Sequence, residues 1–154
     1  MSGMSHLARL SDLGLELPSV VPPVAVYVPA VQTGSLVYTS GQLPMAGGEM
    51  AHVGQVGGPV TPEQAKELAR TCALNALAAV DALVGLDSVT RVVKVVGFVA
   101  SAPGFTGQPG VVNGASELLG EVFGEAGRHA RSAVGVMALP LDAPVEVELI
   151  VEIG

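Results

Sequence analysis

The segment TPEQAKELARTCALNALAAVDALVG, residues 61 to 85, constrains the fold more than any other stretch of this chain. Thr61 is a typical N-cap, Pro62 suits the first helical turn, and Gln64 completes a capping box. Gly85 ends the pattern, and the apolar residues between recur on one face at helical spacing. Many of them are alanines, which let a helix lie close to a sheet. The segment therefore predicts a long helix packed against β-structure.

Three segments predict the first strands of that sheet. SVTRVVKVVGFVAS, residues 88 to 101, is dense in β-branched side chains and predicts a long strand. VAVYVPAVQ (24 to 32) and SLVYTS (35 to 40) predict a hairpin, because a short turn signal separates them. Pro29 places the first of these two strands at an edge or a bulge, since proline cannot donate to a central ladder.

The second half of the chain predicts one more helix and two more strands. After a loop (101 to 110) comes a weaker, glycine-interrupted helix over 111 to 127, in which Asn113 near the start is a candidate N-cap. RSAVGVMAL (131 to 139) and VEVELIVEI (145 to 153) follow as strands. The order ββ, helix, β, helix, ββ predicts an α+β fold with two helices on one face of a sheet.

The first 23 residues are interpreted as an N-terminal extension packed on a single domain of residues 24 to 154. A short helix over Ser5 to Leu13 ends at Gly14 and leads into a proline-rich connector. The start of the chain lacks the pattern of a signal peptide, and no apolar run reaches the length of a membrane span. We therefore expect a cytoplasmic protein with no membrane partner.

Composition narrows the classes of partner and of chemistry. The chain has 7 Lys and Arg against 14 Asp and Glu, which argues against nucleic acid as a partner because phosphate binding needs clustered basic residues. Only 14% of residues are charged, and so small a charged surface favours oligomerisation. The three histidines lack ligand spacing, so no metal site is expected. The single cysteine, Cys72, lies on the apolar helix face and is interpreted as a core residue.

Arg131 is the first candidate site residue, because it stands at the start of a strand that otherwise alternates small and apolar residues. A buried guanidinium keeps its charge and needs a carboxylate partner. That carboxylate belongs either to Glu146 or Glu148, in a structural salt bridge, or to a ligand; on spacing alone the salt bridge is favoured. Arg128 and His129 are interpreted as surface residues at a helix C-terminus.

Two further stretches carry polar groups of interest. Glu146, Glu148 and Glu152 share one face of the last strand and are typical of a solvated face, although Glu146 could lie beside Arg131 if the two strands pair. Ser40 and Gly41 end a strand and could offer a hydroxyl and backbone N–H groups to a small anion. Such Ser-Gly pairs more often simply make turns.

Taken together, these pieces resemble the RidA/YjgF/L-PSP family of reactive-intermediate deaminases. The combination is SGQLP, then a capped helix, VVKVVGFVAS, an Asn before a second helix, ARS, LP and VEVE, spanning roughly 24 to 153. The resemblance implies a chorismate-mutase-like mixed sheet backed by two helices, with three subunits joining their sheets into a trimeric barrel. It also implies ligand clefts between subunits and hydrolysis of enamine or imine acids of the 2-aminoacrylate type to 2-oxo acids and ammonia, without cofactor or metal.

The resemblance also assigns site residues. Arg131 matches the arginine that binds the substrate carboxylate, and Glu146 matches the glutamate that orients or activates the attacking water. The remaining matched positions line the ligand cleft: Tyr27, Ser40, Gly41 and Asn113. The chain departs from the family at Ala133, where a cysteine is frequent, and at His129, where a proline is frequent. These differences mark a divergent subgroup.

The leading expectation is therefore a homotrimeric enamine/imine hydrolase. The alternative is a non-catalytic protein of the same family that binds a small carboxylate in the same cleft. Ribonuclease and chorismate mutase activities fit less well, because both would draw on more positive charge than seven Lys and Arg provide.

Overall fold

The computed structural model describes residues 4–20 and 25–154. A five-stranded mixed sheet carries helices against it, which confirms the predicted α+β class. The elements are α1 (His6–Asp12), β1 (Ala30–Thr33), β2 (Leu36–Thr39), α2 (Pro62–Val84), β3 (Val89–Ala100), α3 (Gln108–Phe123), β4 (Ala130–Val136) and β5 (Val145–Ile153).

The strand order in the sheet is β1-β2-β5-β3-β4. β3 is antiparallel to β5 on one side and parallel to β4 on the other. A parallel pair requires a crossover connection, and α3 provides it. The last strand of the chain therefore lies inside the sheet, and β4 lies at an edge.

Side-chain alternation separates the two faces of the sheet. In β5, Val145, Val147 and Leu149 are buried beneath the helices, whereas Glu146 and Glu148 lie on the opposite face and are half-buried. We call that opposite face, which carries no helix among the described residues, the open face of the sheet. The predicted alternation of valines and glutamates along this strand is confirmed.

Helix α2 forms as its sequence predicts. The Thr61 hydroxyl accepts a hydrogen bond from the Gln64 amide at 3.1 Å, and the Gln64 side chain accepts one from the Thr61 amide at 3.0 Å. Its buried face is rich in alanine, so α2 packs closely on both the sheet and α3. The two helices approach closely at Gly114 of α3, where a Cβ atom would lie 2.9 Å from the Lys66 carbonyl carbon.

The short helix α1 packs on the end of the domain. Ser5 caps it, and Leu10 is buried in the same core as the other helices. The His6 ring contacts the edge of Phe123, with ring centroids 4.6 Å apart, and its Nε2 lies 2.8 Å from the Val89 carbonyl oxygen. The boundary that we predicted between residues 23 and 24 lies outside the described residues.

Three predicted elements have wrong boundaries. The first strand does not run over residues 24 to 32: β1 begins at Ala30, directly after Pro29, and residue 24 lies outside the described residues. The second long helix runs over Gln108–Phe123 and not over residues 111 to 127, which shortens the preceding loop. The fourth strand ends at Val136 and not at residue 139.

Asn113 is consequently not an N-cap. The N-cap position of α3 belongs to Gly107, and Asn113 lies in the second turn with its side chain available for other contacts. None of the helices in residues 4–20 and 25–154 is long and apolar enough to cross a membrane.

Candidate functional site

Arg131 lies at the start of β4 and reaches towards α3. Its Nη1 donates hydrogen bonds to Asn113 Oδ1 at 2.7 Å and to Ser116 Oγ at 3.2 Å. Asn113 and Ser116 are three residues apart on the helix, so both side chains lie on the face that meets β4. We call Arg131, Asn113 and Ser116 the arginine cluster.

The predicted structural salt bridge between Arg131 and Glu146 or Glu148 is wrong. β3 lies between β4 and β5, so the strands that carry these residues do not pair. Within residues 4–20 and 25–154, no carboxylate forms an ion pair with Arg131, and only its Nη1 has protein acceptors. A half-buried guanidinium is therefore held by two neutral groups, with its other N–H groups available to an anion.

Glu146 forms a second cluster, with Gly41 and the adjacent Ser40. The chain after β2 continues along β5: the Gln42 amide donates to the Val147 carbonyl at 2.8 Å, and the Val147 amide donates back at 3.1 Å. This pairing lays Gly41 against the Glu146 side chain, and a Cβ atom at Gly41 would lie 2.8 Å from the Glu146 Cδ. The absence of a side chain at Gly41 therefore allows the Glu146 carboxylate to lie against the backbone at this position.

Ser40 fixes the segment that precedes β1. Its hydroxyl donates to the Val28 carbonyl at 2.5 Å, and its amide donates to the Pro29 carbonyl at 2.8 Å. Both donors are thus used within the protein, so the hydroxyl oxygen remains as an acceptor. Tyr27 directly precedes Val28 and is 60% exposed, so the chain alone connects it to this group. We call Ser40, Gly41 and Glu146 the glutamate cluster.

The pKa of Glu146 is raised from its ordinary value. The main cause is burial, which disfavours the charged form, and the nearby Glu148 carboxylate adds to the effect. A carboxyl group with a raised pKa holds a proton more readily, which suits a group that both accepts and returns one.

The two clusters lie on opposite faces of the sheet. Arg131 pairs with Val95, which is buried beneath the helices, whereas Glu146 pairs with Phe98, whose side chain points to the open face. Strand geometry separates the two residues by roughly 10 Å across the sheet and roughly 10 Å along it. In one chain, a small molecule cannot contact both.

Two open clefts flank the start of β4. One, of about 480 Å³, is lined by Ser116, Gly120, Gly124, Gly127, Arg128 and His129. The other, of about 460 Å³, lies on the open face and is lined by Leu36, Arg91, Val93, Arg128, His129, Ala130 and Glu152. Arg128 is exposed as predicted and pairs with Glu125 at 3.6 Å.

Sequence reasoning missed Ser116. The position of Ser116, three residues after Asn113 within the predicted helix, was a usable indication. His129 lies at the surface as predicted, but it is half-buried and lines both clefts. Burial lowers the pKa of His129, and the positive charge of Arg131 lowers it further. The hydrogen bond to the Ala130 backbone raises the pKa, but the net shift is downward.

Cys72 is a buried core residue, as predicted. Its Sγ lies 3.6 Å from the Val145 carbonyl oxygen, and burial raises the pKa of the thiol well above its usual range. The described ranges contain no group of three or more His, Cys, Asp or Glu side chains placed to hold a metal ion.

Comparison with known proteins identifies the family. The family described as "YjgF/chorismate_mutase-like, putative endoribonuclease" matches residues 7–153. The chain belongs to the YjgF/chorismate-mutase-like family. Protein TCP17 of Trypanosoma cruzi is 47% identical to it over 151 residues, covering 96% of this chain and 93% of that protein.

Solved structures of YjgF relatives share the fold. Atu1372 of Agrobacterium tumefaciens, whose function is unknown, is 48% identical, with a TM-score of 0.89, and covers 97% of this chain and 92% of its own. TdcF of E. coli, solved with bound serine, is 27% identical, with a TM-score of 0.64, and covers 86% of this chain and 92% of its own. The chorismate-mutase-like fold that the sequence resemblance implied is thereby confirmed.

Proposed function

We propose that this protein hydrolyses small enamine or imine acids of the 2-aminoacrylate type to 2-oxo acids and ammonia, in clefts between the subunits of a homotrimer. The observation that carries the proposal is Arg131, a half-buried guanidinium that has neutral partners and no carboxylate partner among the described residues. Charge balance at such a group calls for an anionic ligand.

The geometry of the arginine cluster suits a carboxylate. Asn113 and Ser116 both hold Nη1, which fixes the plane of the guanidinium and leaves its other edge for the ligand. A bidentate pair with a carboxylate supplies both charge and orientation. The serine in TdcF is a small carboxylic acid, which supports a ligand of this class.

Glu146 is proposed to move protons. Water adds to the carbon of the protonated imine and gives one proton to the Glu146 carboxylate, and a neutral carbinolamine forms. Glu146 then returns that proton to nitrogen. The C–N bond breaks as the hydroxyl group becomes the carbonyl and releases its proton to water, and 2-oxo acid and ammonia leave. The reaction uses only water and proton transfers, so no cofactor or metal is required. Tyr27, Ser40 and Gly41 would shape the cleft beside the carboxylate.

The placement of the two clusters supports a site shared by two chains. Because they lie on opposite faces of one sheet, the arginine cluster of one subunit would meet the glutamate cluster of the next. The open face also carries exposed apolar side chains on its strands, among them Val31, Tyr38 and Val134. Burial of this face against other copies would remove that surface from water.

The decisive experiment measures 2-oxo acid and ammonia release while an amino-acid oxidase generates imines from a panel of amino acids. We expect acceleration by the wild type and a loss of about 100-fold in kcat/KM for Arg131→Ala, because orientation is lost with charge. Arg9→Ala, at an exposed position of α1, is the matched control and should retain full activity. Failure of the wild type to accelerate any substrate refutes hydrolysis; Arg131-dependent stabilisation by 2-oxo acids would then indicate the non-catalytic binding protein.

Mixed assemblies test the shared site. Arg131→Ala and Glu146→Gln chains, each with only a small residual activity, should regain about a quarter of wild-type activity when they are unfolded and refolded together, since that fraction of random interfaces pairs an intact arginine with an intact glutamate. A site within one chain predicts no recovery at all. The mass of the assembly in solution should be three times the chain mass of 15.4 kDa.

A further inference from the structure

The cleft of about 480 Å³ between the end of α3 and the start of β4 has an unusual lining. Its six residues are three glycines, a serine, an arginine and a histidine: Gly120, Gly124, Gly127, Ser116, Arg128 and His129. None of them has an aliphatic or phenyl side chain. We call this the α3 cleft. Because the glycines contribute only backbone, the side chains that could recognise an occupant by hydrogen bonds are those of Ser116, Arg128 and His129.

The α3 cleft opens directly beside the arginine cluster. Ser116 belongs to both, because its Oγ accepts a hydrogen bond from Arg131 Nη1 at 3.2 Å and also lines the cleft. An acid whose carboxylate binds Arg131 would therefore have its side chain within reach of the α3 cleft. Since Ser116 Oγ accepts from Arg131, its hydroxyl hydrogen is available to donate.

His129 supplies the opposite hydrogen-bonding role. Its Nδ1 lies 3.0 Å from the Ala130 carbonyl oxygen, which can only accept, so Nδ1 carries the hydrogen. In the neutral imidazole this leaves Nε2 as an acceptor. The lowered pKa of His129, caused by burial and by the charge of Arg131, favours that neutral form.

The charges around the cleft largely balance. Arg128 pairs with Glu125 at 3.6 Å, and both side chains are largely exposed. Arg131 is the remaining cation, and the proposed carboxylate clamp uses it. A second carboxylate would also place its lone pairs against the lone pair of His129 Nε2. The cleft thus favours a neutral group that donates one hydrogen bond and accepts another.

We infer that the α3 cleft receives the side chain of the acid bound at Arg131 and selects a short, neutral, hydrogen-bonding side chain, with His129 and Ser116 as the specificity-determining residues. A carboxamide donates to His129 Nε2 and accepts from Ser116 Oγ, and a hydroxyl does the same. This inference rests on the proposed carboxylate clamp and adds the class of side chain to it.

Three 2-oxo acids of nearly equal shape test the inference by calorimetric binding. They are 2-oxosuccinamate, oxaloacetate and 4-methyl-2-oxopentanoate, which carry an amide, a carboxylate and an isopropyl group on the same carbon. We expect the wild type to bind the amide about tenfold or more tightly than the other two, because sites built for hydrogen bonds reject analogues that leave them unpaired.

His129→Leu and Ser116→Ala should each reduce that preference several-fold, whereas His129→Gln, which keeps an acceptor, should retain part of it. The matched control is His52→Leu, at an exposed histidine that lines neither cleft, and it should keep the preference of the wild type. Equal affinity for the three acids, or a preference unchanged in His129→Leu, would overturn the inference.

The outcomes separate this inference from the hydrolase proposal. Preferential binding of the amide without turnover supports the cleft assignment and refutes the hydrolase proposal. Arg131-dependent turnover without amide preference retains hydrolysis and refutes the cleft assignment. Absence of binding by all three acids refutes the carboxylate clamp and the cleft together.

Discussion

Gly41→Ala tests the link between the SGQ segment and the chemistry of Glu146. A methyl group at this position would lie inside van der Waals contact of the Glu146 carboxylate and 2.8 Å from its Cδ. Ordinary contact begins near 3.4 Å, so Cδ must retreat by at least about 0.6 Å, and its oxygens by more. A displacement of about 1 Å at a reacting group costs on the order of 100-fold in rate.

Stability should hardly change in the same variant. The backbone of Gly41 is not in the left-handed region, so alanine adopts it without strain. The clash is with the end of a flexible, half-exposed side chain that can rotate away. We expect a loss below about 1 kcal/mol in the free energy of unfolding, which separates this variant from a folding mutant.

The assay is imine hydrolysis together with urea unfolding of the same samples. Gly110→Ala is the control, because an added methyl there meets nothing within 4 Å. In a double-mutant cycle, the rate effect of Gly41→Ala should vanish once Glu146 is glutamine, because the two residues act through one contact. Equal activity of Gly41→Ala and the wild type, or additive effects in the cycle, would refute the reasoning.

Three further variants test the fold and its electrostatics. Gly114→Ala drives a methyl against the Lys66 backbone and should cost about 1 to 3 kcal/mol in chemical denaturation; a change below about 0.5 kcal/mol would contradict the close helix contact. Thr61→Ala removes the cap of α2 and should cost about 1 kcal/mol in the free energy of unfolding; an unchanged stability would contradict the role of the hydroxyl as a cap. Burial raises the pKa of Glu146, so its ionisation destabilises the fold as pH rises from about 4.5 through the raised value. Glu146→Gln should therefore have a slightly higher free energy of unfolding than the wild type at pH 7, by less than about 1 kcal/mol, and the same value as the wild type at pH 3. A wild type that is more stable than Glu146→Gln at pH 7 would contradict this prediction.

Local signals determined what the sequence could predict. Helix α2 carries its own cap, its own stop at Gly85 and a continuous apolar face, so its bounds follow from adjacent residues. Strand β5 alternates strictly, which fixes its two faces wherever it pairs. The pattern VAVYV before Pro29 is equally regular, but β2 offers only Leu36–Thr39 as a partner, and the tight turn aligns Ala30 with Thr39. The available pairing with β2, and not the strand propensity of residues 24 to 28, therefore determined where β1 begins.

The site depended on longer-range geometry. Arg131 faces α3 because β4 joins β3 in parallel, at a register that no residue near Arg131 specifies. The same topology places β3 between Arg131 and Glu146, which removed the salt bridge that spacing alone favoured. The start of α3 was hidden for a local reason, since Gln108, Pro109 and Gly110 are typical of a loop. Family resemblance pointed to Arg131 where strand spacing could not.

The basic corner around the start of β4 shapes how a ligand approaches. Four of the seven Lys and Arg residues lie there: Arg91, Lys94, Arg128 and Arg131. The chain as a whole has a formal net charge of -7, so its distant field repels anions. Near the start of β4 these four cations face the carboxylates of Glu125, Glu148 and Glu152, and the excess of one positive charge attracts anions within about one Debye length, roughly 8 Å at physiological ionic strength. Added salt therefore screens two opposing fields, and the association rate of a small acid should depend on ionic strength far less than for a uniformly basic protein.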